Sequence, residues 1–470
     1  MLHDFCSSVP CRNLFVFSII YLYLFPPIAT INSHQLSAHY LSSRSPESTS
    51  EIHCKSNTQE LANLLHNYEE VSTLVYEVLN RVANHSWEWG TQSEVIMERN
   101  YPCLSVFSQS SSLPFESDDW DGAQTKLLTE LIDPIIATRP VGEKPIVDGD
   151  GSSADPASLG VAVLVSAVTT PKKEKAADYL ELAKDQYKFL IKEVPRSKSG
   201  AISHREAEVQ FWSDFVYMVP PFLAFHGAQD SNFEELELAY TQIKLYRDAL
   251  SAPLKNVKLW RHVLPENATI KDHRFWSTGN GWAAAGIMRV YATLLNLEDE
   301  TFQSKTESML NDLADWTEEI VTGAFSFQDA ETGLLPNVFG ANSTCENYFN
   351  VYFLDCSGTS AIASAAFRLL SYEPERHSSL PMKDITKSVK AIFTKYTNPI
   401  TGSVAPVVNP LDWSSEVPFN GSKPEVGFVS PEGQAFGILL QEAIRAYLKK
   451  VDKENEEKYT SKFVLIEDCF

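Results

Sequence analysis

Hydrophobic and polar positions follow the period of an α-helix along most of the chain. Between residues 59 and 83 the apolar positions lie mostly three or one apart, which collects them on one face of a helix. Strand-like alternation is scarce. The same helical period recurs in residues 174–194, 232–251, 302–321, 384–396 and 432–449. The pattern predicts an all-α chain.

A second kind of helix alternates with the amphipathic ones. Each begins with a polar or glycine-rich turn and continues with small and apolar residues. These segments open at Asp155, Trp212, Gly279, Ser357 and Ser430. The spacing is a loose repeat of about 70 residues, which holds one small-residue helix and one amphipathic helix. Helices that are apolar all round are buried, whereas striped helices lie outside.

The repeat count predicts the architecture. With a sixth pair drawn from residues 59–98 and 121–137, the chain holds six helical hairpins, and we expect them to close into an (α/α)6 barrel. An open helical solenoid is the alternative. One closed ring of this kind explains why so long a chain need not divide into three domains.

The N-terminal segment has the pattern of a targeting signal. Residues 14–25 form an apolar run that is too short to span a bilayer and is followed by small residues, which is typical of a signal peptide. An uncleaved anchor is the alternative. We therefore expect a signal peptide over 1–30, a disordered linker over 31–55, the barrel over 56–450 and a charged tail over 451–470.

Charge narrows the range of partners. Lys and Arg total 39 against 61 Asp and Glu, so the net charge is −22. A phosphate backbone or an anionic membrane surface attracts clustered cations, so neither nucleic acid nor a membrane is an expected partner after signal cleavage. Aromatic side chains are abundant and suit the stacking of sugar rings, although for any one of them a place in the core is the alternative. We expect a monomer.

Secretion explains two further features. Asn84, Asn267, Asn342 and Asn420 each begin an N-x-S/T sequence, so each is a candidate glycan site.

Five cysteines remain after signal cleavage, and the odd number leaves at least one thiol unpaired. Cys345 and Cys356 are close enough in sequence to bridge a loop. No C-x-x-C pair supports a zinc site, and we expect neither a metal nor a cofactor.

The ring predicts where the chemistry lies. Parallel inner helices gather their N-termini at one mouth, where the helix dipoles favour anions. A mouth rich in carboxylate, imidazole and indole groups suits a sugar site. Its expected polar residues are Asp155, Asp214, Trp276, Asn280, Trp282, Ser357 and Glu432, joined by His204, Arg205, His262, His273 and Arg274 from the preceding loops.

Four segments, in order, carry a family resemblance. They are GAISHREAEVQFWSDFVYMVPPFLAFHG, LWRHVL, WSTGNGWAAAGIMRV and SPEGQAFGILL. The chain resembles the unsaturated rhamnogalacturonyl hydrolases of glycoside hydrolase family 105 and the related family 88, in the six-hairpin glycosidase class, and most of all a fungal secreted branch. The resemblance covers about residues 75–448.

The resemblance implies an activity. These enzymes remove a 4,5-unsaturated uronic acid from the non-reducing end of a lyase fragment by hydrating its double bond, without a metal or organic cofactor. One Asp protonates C4 and activates the water that adds at C5; the resulting hemiketal opens and the glycosidic bond is lost.

The resemblance also assigns residues. Asp214 matches the catalytic Asp of the W-x-D motif, and Asp155 matches a second carboxylate; helix capping is the alternative for both. The remaining matches and expected substrate contacts are His204, Arg205, Trp212, His262, Trp276, Thr278, Asn280 and Trp282. A structural role is the alternative for each His, and a core position for each Trp.

One position departs from the family. Its loop commonly reads W-x-R-G-N-G-W, and this chain has Thr278 at the third place. The Arg of the family suits a uronate because its guanidinium group can donate two parallel hydrogen bonds to a carboxylate. We therefore expect Arg205, Arg274 or a protonated His to point into the cavity and supply the missing charge.

The sequence favours a secreted, extracellular glycoside hydrolase that acts on pectin-derived oligosaccharides by hydration of an unsaturated uronic acid. Two alternatives stay open. The same ring can hydrolyse a saturated or neutral sugar directly with two carboxylates, or the chain can be a catalytically silent glycan-binding protein.

Overall fold

The computed structural model describes residues 49–108, 112–115, 125–139, 145–265, 272–341, 352–419 and 428–451. Helices dominate these ranges, and all of their elements belong to one compact unit that begins at Thr49. The expected signal peptide and three of the four candidate glycan sites, Asn267, Asn342 and Asn420, lie outside the described residues. The side chain of Asn84 is exposed.

The helices follow the expected alternation. In chain order they are α1 (Thr49–Val82), α2 (Ser86–Asn100), α3 (Lys126–Ile136), α4 (Gly160–Thr169), α5 (Lys173–Lys192), α6 (Phe215–Met218), α7 (Pro220–Gln229), α8 (Phe233–Leu250), α9 (Ser277–Leu295), α10 (Glu300–Phe325), α11 (Cys356–Tyr372), α12 (Met382–Thr394) and α13 (Pro431–Val451). Short 3₁₀ turns cover Pro102–Leu104 and Asp155–Leu159.

The inner helices close a ring. Contacts run from α2 to α4, then to α7, α9, α11 and α13, and from α13 back to α2. Each inner helix also contacts the outer helix that follows it in the chain, namely α3, α5, α8, α10 or α12, and the last inner helix, α13, contacts α1. The protein therefore has the predicted (α/α)6 barrel, and the open solenoid is excluded because the last inner helix packs against the first.

Small residues on the inner helices allow close approach. A Cβ atom added to Gly286 of α9 would lie 2.2 Å from the carbonyl oxygen of Val216, and one added to Gly358 of α11 would lie 2.3 Å from Oγ of Ser277. Neither distance is sterically possible, so a larger residue at either site would push neighbouring inner helices apart. The outer helices carry a single apolar face; on α12 it includes the buried Ile385 and Val389.

One inner helix differs from the expected pattern. The sequence drew the sixth pair from residues 59–98 and 121–137. Within these residues α2 packs against α3, whereas α1 packs against α13 and α12. The inward face of α2 carries buried carboxylates, among them Glu94 and Glu98, so its sequence lacks the small-residue signature of an inner helix.

Short two-stranded ribbons precede or flank the inner-helix starts. All five pairs are antiparallel. The strands are β1 (Gln210–Trp212), β2 (Ser251–Leu254), β3 (Val257–Trp260), β4 (Val263–Pro265), β5 (Phe275–Trp276), β6 (Leu335–Pro336), β7 (Val338–Phe339), β8 (Leu354–Asp355), β9 (Val407–Asn409) and β10 (Asp412–Val417). The pairs are β1 with β4, β2 with β3, β5 with β7, β6 with β8 and β9 with β10.

The cysteines correct one expectation. Cys356 is a buried free thiol at the first residue of α11, so the suggested bridge between Cys345 and Cys356 is wrong. Burial raises the pKa of this thiol well above its usual range. Cys103 is in a disulfide. None of the described helices is both long and apolar enough to cross a membrane.

Candidate active site

The mouth of the ring is built where strands end and inner helices begin. β1 ends at Trp212, two residues before Asp214, which directly precedes α6, and its partner strand β4 begins next to His262. Trp212 of β1 and Val263 of β4 lie directly opposite each other in the ribbon. This ribbon therefore holds the W-x-D motif and the expected histidine together, although they lie about 50 positions apart in sequence.

Asp214 stands at the start of α6 without capping it. Its side chain makes no cap hydrogen bond, whereas Asp355 at the start of α11 accepts from two backbone amides. Instead the carboxylate of Asp214 accepts a hydrogen bond from Oγ of Ser213 at 3.1 Å and lies 3.5 Å from Nε2 of His262. Burial raises the pKa of Asp214, and a positive charge on His262 opposes that rise. The capping alternative thus fails for this residue.

Asp155 lies at the same mouth. It is the first residue of the 3₁₀ turn that leads into α4, and that turn packs against α6. Burial raises the pKa of Asp155 to about 7, and the next largest cause is the negative charge of Asp214. Two carboxylates that repel each other in this way cannot both ionise easily, so their titrations are coupled.

A neutral histidine flanks Asp155. Nε2 of His204 lies 3.7 Å from Oδ1 of Asp155, and the imidazole stacks on the indole of Trp212 with ring centroids 4.7 Å apart. Burial, with the nearby positive charge of Arg205 second, lowers the pKa of His204 well below its usual range. His204 therefore carries no charge at neutral pH and cannot supply the cation that the sequence led us to expect.

His262 is held between two carboxylates. It is fully buried; Nδ1 lies 2.9 Å from Oδ2 of Asp272, while Nε2 faces Asp214 and has no hydrogen-bond partner. Arg274 donates to both oxygens of Asp272, from Nε at 2.6 Å and Nη2 at 2.8 Å. Burial alone would raise the pKa of Asp272, but the hydrogen bonds from His262 and Arg274 outweigh it and hold that pKa far below its usual range.

Glu432 adds a fourth carboxyl group. It lies in the first turn of α13, where Oε1 accepts from Nε1 of Trp87 at 3.1 Å and Oε2 has no partner. Burial, followed by the charge of Asp214, raises the pKa of Glu432 well above its usual range. The neutral form of Glu432 is therefore favoured.

Indole rings surround the imidazole of His262. The rings of Trp276, Trp413 and Trp212 lie 4.4, 4.3 and 5.5 Å from it, measured between ring centroids. Trp413 is half-buried on β10 and was not among the expected site residues. Trp276 is almost fully buried and donates from Nε1 to Asn337. Among the described residues no group of three His, Cys, Asp or Glu side chains is arranged to hold a metal ion.

Three expected substrate contacts occupy supporting positions instead. The Thr278 hydroxyl is fully buried and donates to Oδ2 of Asp355 at 2.6 Å. The Asn280 side chain accepts from the Trp260 amide and donates to its carbonyl oxygen. Trp282 is fully buried and packs edge-on against Tyr217 and Phe436. Thr278 and Trp282 thus tie α9 to neighbouring inner-helix segments, and Asn280 ties it to β3.

The two expected arginines are also engaged. Besides its two hydrogen bonds to Asp272, Arg274 donates one to the hydroxyl of Ser414 on β10. Arg205 donates to the carbonyl oxygen of Asp150 at 2.8 Å, and its charge lowers the pKa of Asp155 in opposition to burial. Of the two, only Arg205 keeps its charge free of a carboxylate partner among the described residues.

Sequence analysis missed two residues of the site, Asp272 and Trp413. Both lie in segments outside the helical repeat, and only the folded ribbons bring them to His262. Glu432 was expected at the mouth from its place in the SPEGQ segment, but its contact with Trp87 depends on α2, whose place in the inner ring was not recognised.

Residues 154–366 match the model of Glycosyl Hydrolase Family 88. No curated protein sequence matches the chain. Among solved structures, a possible member of family GH105 from Klebsiella pneumoniae is 16% identical with a TM-score of 0.57, covering 87% of this chain and 100% of that one. A family 105 glycoside hydrolase from C. acetobutylicum is 17% identical with a TM-score of 0.55, covering 80% and 99%.

A third similar structure is an unsaturated glucuronyl hydrolase specific for heparin. It is 14% identical with a TM-score of 0.52, covering 83% of this chain and 98% of that one. At such identities the likeness of these structures concerns the fold, and it agrees with the ring of six helical hairpins.

Proposed function

Because the chain is a glycoside hydrolase of the family 88 and 105 group, we propose that it removes a 4,5-unsaturated uronic acid from the non-reducing end of oligosaccharides, those derived from pectin above all. One observation carries the proposal: Asp214 and Asp155 share a buried mouth in which the pKa of each is raised. The name of the heparin-specific structural relative agrees with an unsaturated uronic acid as the sugar removed.

The reaction assigns Asp214 two tasks. Its protonated carboxyl gives a proton to C4 of the double bond, and a water then adds its oxygen to C5 and returns a proton to the carboxylate. The C5 hemiketal opens to a ketone, which leaves a hemiacetal at C1 that expels the second sugar as an alcohol. The protons balance, so Asp214 is ready for the next turnover.

The environment of Asp214 suits both tasks. A group that gives and then takes a proton works best when its pKa lies near the working pH, and burial raises the pKa of Asp214 toward that range. His262, 3.5 Å away, can stabilise the carboxylate once its Nε2 carries a proton. The negative charge of Asp214 favours the protonated form of Asp155, and a neutral carboxyl can donate a hydrogen bond to a sugar hydroxyl.

The uronate carboxylate needs a partner, since an unpaired desolvated charge costs several kcal/mol. Thr278 and Arg274 are already bound to carboxylates. Arg205 is the expected cation that remains, and its charge already acts on Asp155. We assign it to the substrate carboxylate.

A screen of unsaturated oligosaccharides tests the function. Pectin and glycosaminoglycan fragments produced by lyases lose their ultraviolet absorbance when the double bond is hydrated. Wild-type protein should abolish the absorbance of at least one fragment, and Asp214→Asn should not. A flat trace for every fragment, together with release of sugar from saturated substrates, would replace hydration by direct hydrolysis.

Direct hydrolysis of a saturated or neutral sugar is the second candidate. It is favoured by one specific observation: Arg274 is neutralised by Asp272, so the mouth holds more carboxylates than free cations among the described residues. In that reaction one carboxyl acts as general acid and the other as general base. The same screen, run with saturated oligosaccharides, separates the two.

We also propose that the protein is secreted, glycosylated and monomeric. The apolar run over residues 14–25, the exposed Asn84 and the disulfide of Cys103 support an oxidising export route. Recovery from culture medium, a mass loss on enzymatic deglycosylation and a monomer mass in light scattering are expected. Retention in the cytosol would contradict this route.

A further inference from the structure

His262 joins the proposed catalytic acid to a carboxylate that no motif assigns. Its Nε2 faces Asp214 at 3.5 Å, and its Nδ1 lies 2.9 Å from Asp272. A histidine that served only to fill the core would have both ring nitrogens satisfied, as buried polar groups normally are. Here Nε2 has no hydrogen-bond partner among the described residues.

The contact with Asp272 decides which nitrogen meets Asp214. An ionised carboxylate only accepts hydrogen bonds, so Nδ1 must carry a proton where it faces Asp272. Arg274 keeps Asp272 ionised and fixes its orientation by donating to both of its oxygens. In the neutral imidazole, Nε2 then has the free lone pair and can accept a proton from the direction of Asp214.

The surroundings of His262 leave few other routes for a proton. The titratable groups that face it are Asp214 and Asp272, and His204 is near enough for the charge of His262 to lower its pKa. Indole rings from β1, β5 and β10 cover the remaining sides.

We propose that Asp272, fixed by Arg274, is a positioning residue that holds His262 as its Nδ1–H tautomer, so that Nε2 can exchange a proton with Asp214 and, once protonated, stabilise its carboxylate. This inference rests on the proposed role of Asp214 and extends it to a chain of four side chains. Asp272 itself touches no substrate. Its effect passes through the imidazole, as the orienting carboxylate does in a Ser-His-Asp triad.

The experiment compares two variants that each break a buried pair of histidine and carboxylate. Asp272→Asn acts at the mouth. Glu235→Gln is the matched control, because Glu235 binds Nδ1 of the buried His226 at 2.6 Å on α7 and α8, outside the mouth. We expect Asp272→Asn to lower kcat by about 10²-fold or more with little change in KM, while Glu235→Gln loses stability and keeps its kcat. Arg274→Gln should also lower kcat, but by a smaller factor than Asp272→Asn. If Asp272→Asn does not fold, Arg274→Gln is measured in its place.

A spectroscopic measurement tests the tautomer without turnover. In protein labelled with ¹⁵N-histidine, the signals that disappear in His262→Gln identify the ring. We expect wild-type protein to show the Nδ1–H pattern and Asp272→Asn to lose it.

The outcomes separate this inference from the proposed function. If wild-type protein turns over no unsaturated substrate, the function fails and the tautomer measurement still decides the role of Asp272. If wild-type protein is active and Asp272→Asn keeps its kcat, or if the Nδ1–H pattern persists without Asp272, the inference is overturned.

Discussion

The indole nitrogen of Trp87 donates to a carboxylate oxygen of Glu432 over 3.1 Å, although 345 positions of sequence separate the two residues. The bond joins the first inner helix to the last and so lies where the barrel closes. It satisfies one oxygen of Glu432 and leaves the other buried without a partner. A buried, singly bonded carboxyl beside Asp214 is most stable in its neutral form.

The first prediction concerns that neutral form. Glu432→Gln keeps the acceptor for Trp87 and has the shape of a protonated glutamic acid. Since the raised pKa favours the protonated form of Glu432, the variant should lose less than about tenfold in kcat/KM, which is about 1.4 kcal/mol. Glu432→Ala, which removes the acceptor, should lose stability as well. A large loss in Glu432→Gln at unchanged stability would mean that the enzyme uses the ionised form.

The second prediction concerns Asp214. Asp214→Asn should fold normally, because an amide retains the shape and can still accept from Ser213. Turnover of the unsaturated substrate should fall by about 10²–10⁴-fold, since an amide cannot shuttle a proton. The rate of absorbance loss and a thermal melt measure the two properties. A variant that keeps half of the wild-type rate would reject the assigned role.

The third prediction is a dependence of stability on pH. The folded state holds the proton of Asp155 up to a pKa of about 7, whereas the unfolded chain releases it near its usual value of 3.8. Between these values the unfolded state binds fewer protons, so this residue lowers stability as pH rises from about 4 to about 7. Asp155→Asn should therefore unfold at a higher temperature than wild type at pH 8 and at nearly the same temperature at pH 4.

A control of opposite sign accompanies that measurement. Hydrogen bonds from Thr332 lower the pKa of Asp329, which lies in a loop outside the mouth. Its contribution to stability is present above the unfolded pKa and is lost as pH falls, so Asp329→Asn should be less stable than wild type at pH 8. If both variants shift in the same direction, the burial of Asp155 is not the cause of its effect.

The sequence was most informative where a single residue type determines packing. The small residues near Gly286 and Gly358 predicted inner helices, because nothing larger fits at those contacts. The apolar stripe of α12 predicted an outer helix for the same local reason. The sequence did not predict α2 as an inner helix. Glu94 and Glu98 are typical of a surface helix, and only their partners on α9 and α11 explain why they are buried.

The site divides in a similar way. Asp214 and His262 stand in motifs and were recognised, and the ribbon of β1 and β4 places them together. Asp272 and Trp413 stand in no motif, and their role at the mouth depends on which loops the ribbons bring to His262. The sequence suggested that Thr278 replaces an Arg that contacts the substrate. In the structure its hydroxyl donates to Asp355 and so links α9 to the start of α11, a pairing that the local sequence cannot show.

The last prediction concerns the charged group at the other end of the inner helices. Arg289 lies twelve residues beyond the start of α9, about 18 Å along the helix from the mouth. It pairs with Glu94 at 2.6 Å and with Glu98, and Glu98 also binds Arg368. All four side chains are buried, so removing one leaves an uncompensated charge in the core.

Arg289→Met should therefore lower the free energy of unfolding by about 3–5 kcal/mol, measured by denaturant titration. Arg247→Met is the control, since the pair between Arg247 and Glu319 is partly solvated and should cost at most about 1 kcal/mol. Burial raises the pKa of Glu94 to about 7 even with Arg289 in place. Without Arg289 that pKa rises further, so Glu94→Gln in the same chain should recover part of the loss at pH 9, where ionisation of Glu94 is favoured in the unfolded chain, and little at pH 6, where Glu94 holds its proton in the fold. Equal costs for the two Arg variants, or no recovery in the double variant, would show that the buried charges are not what makes Arg289 important.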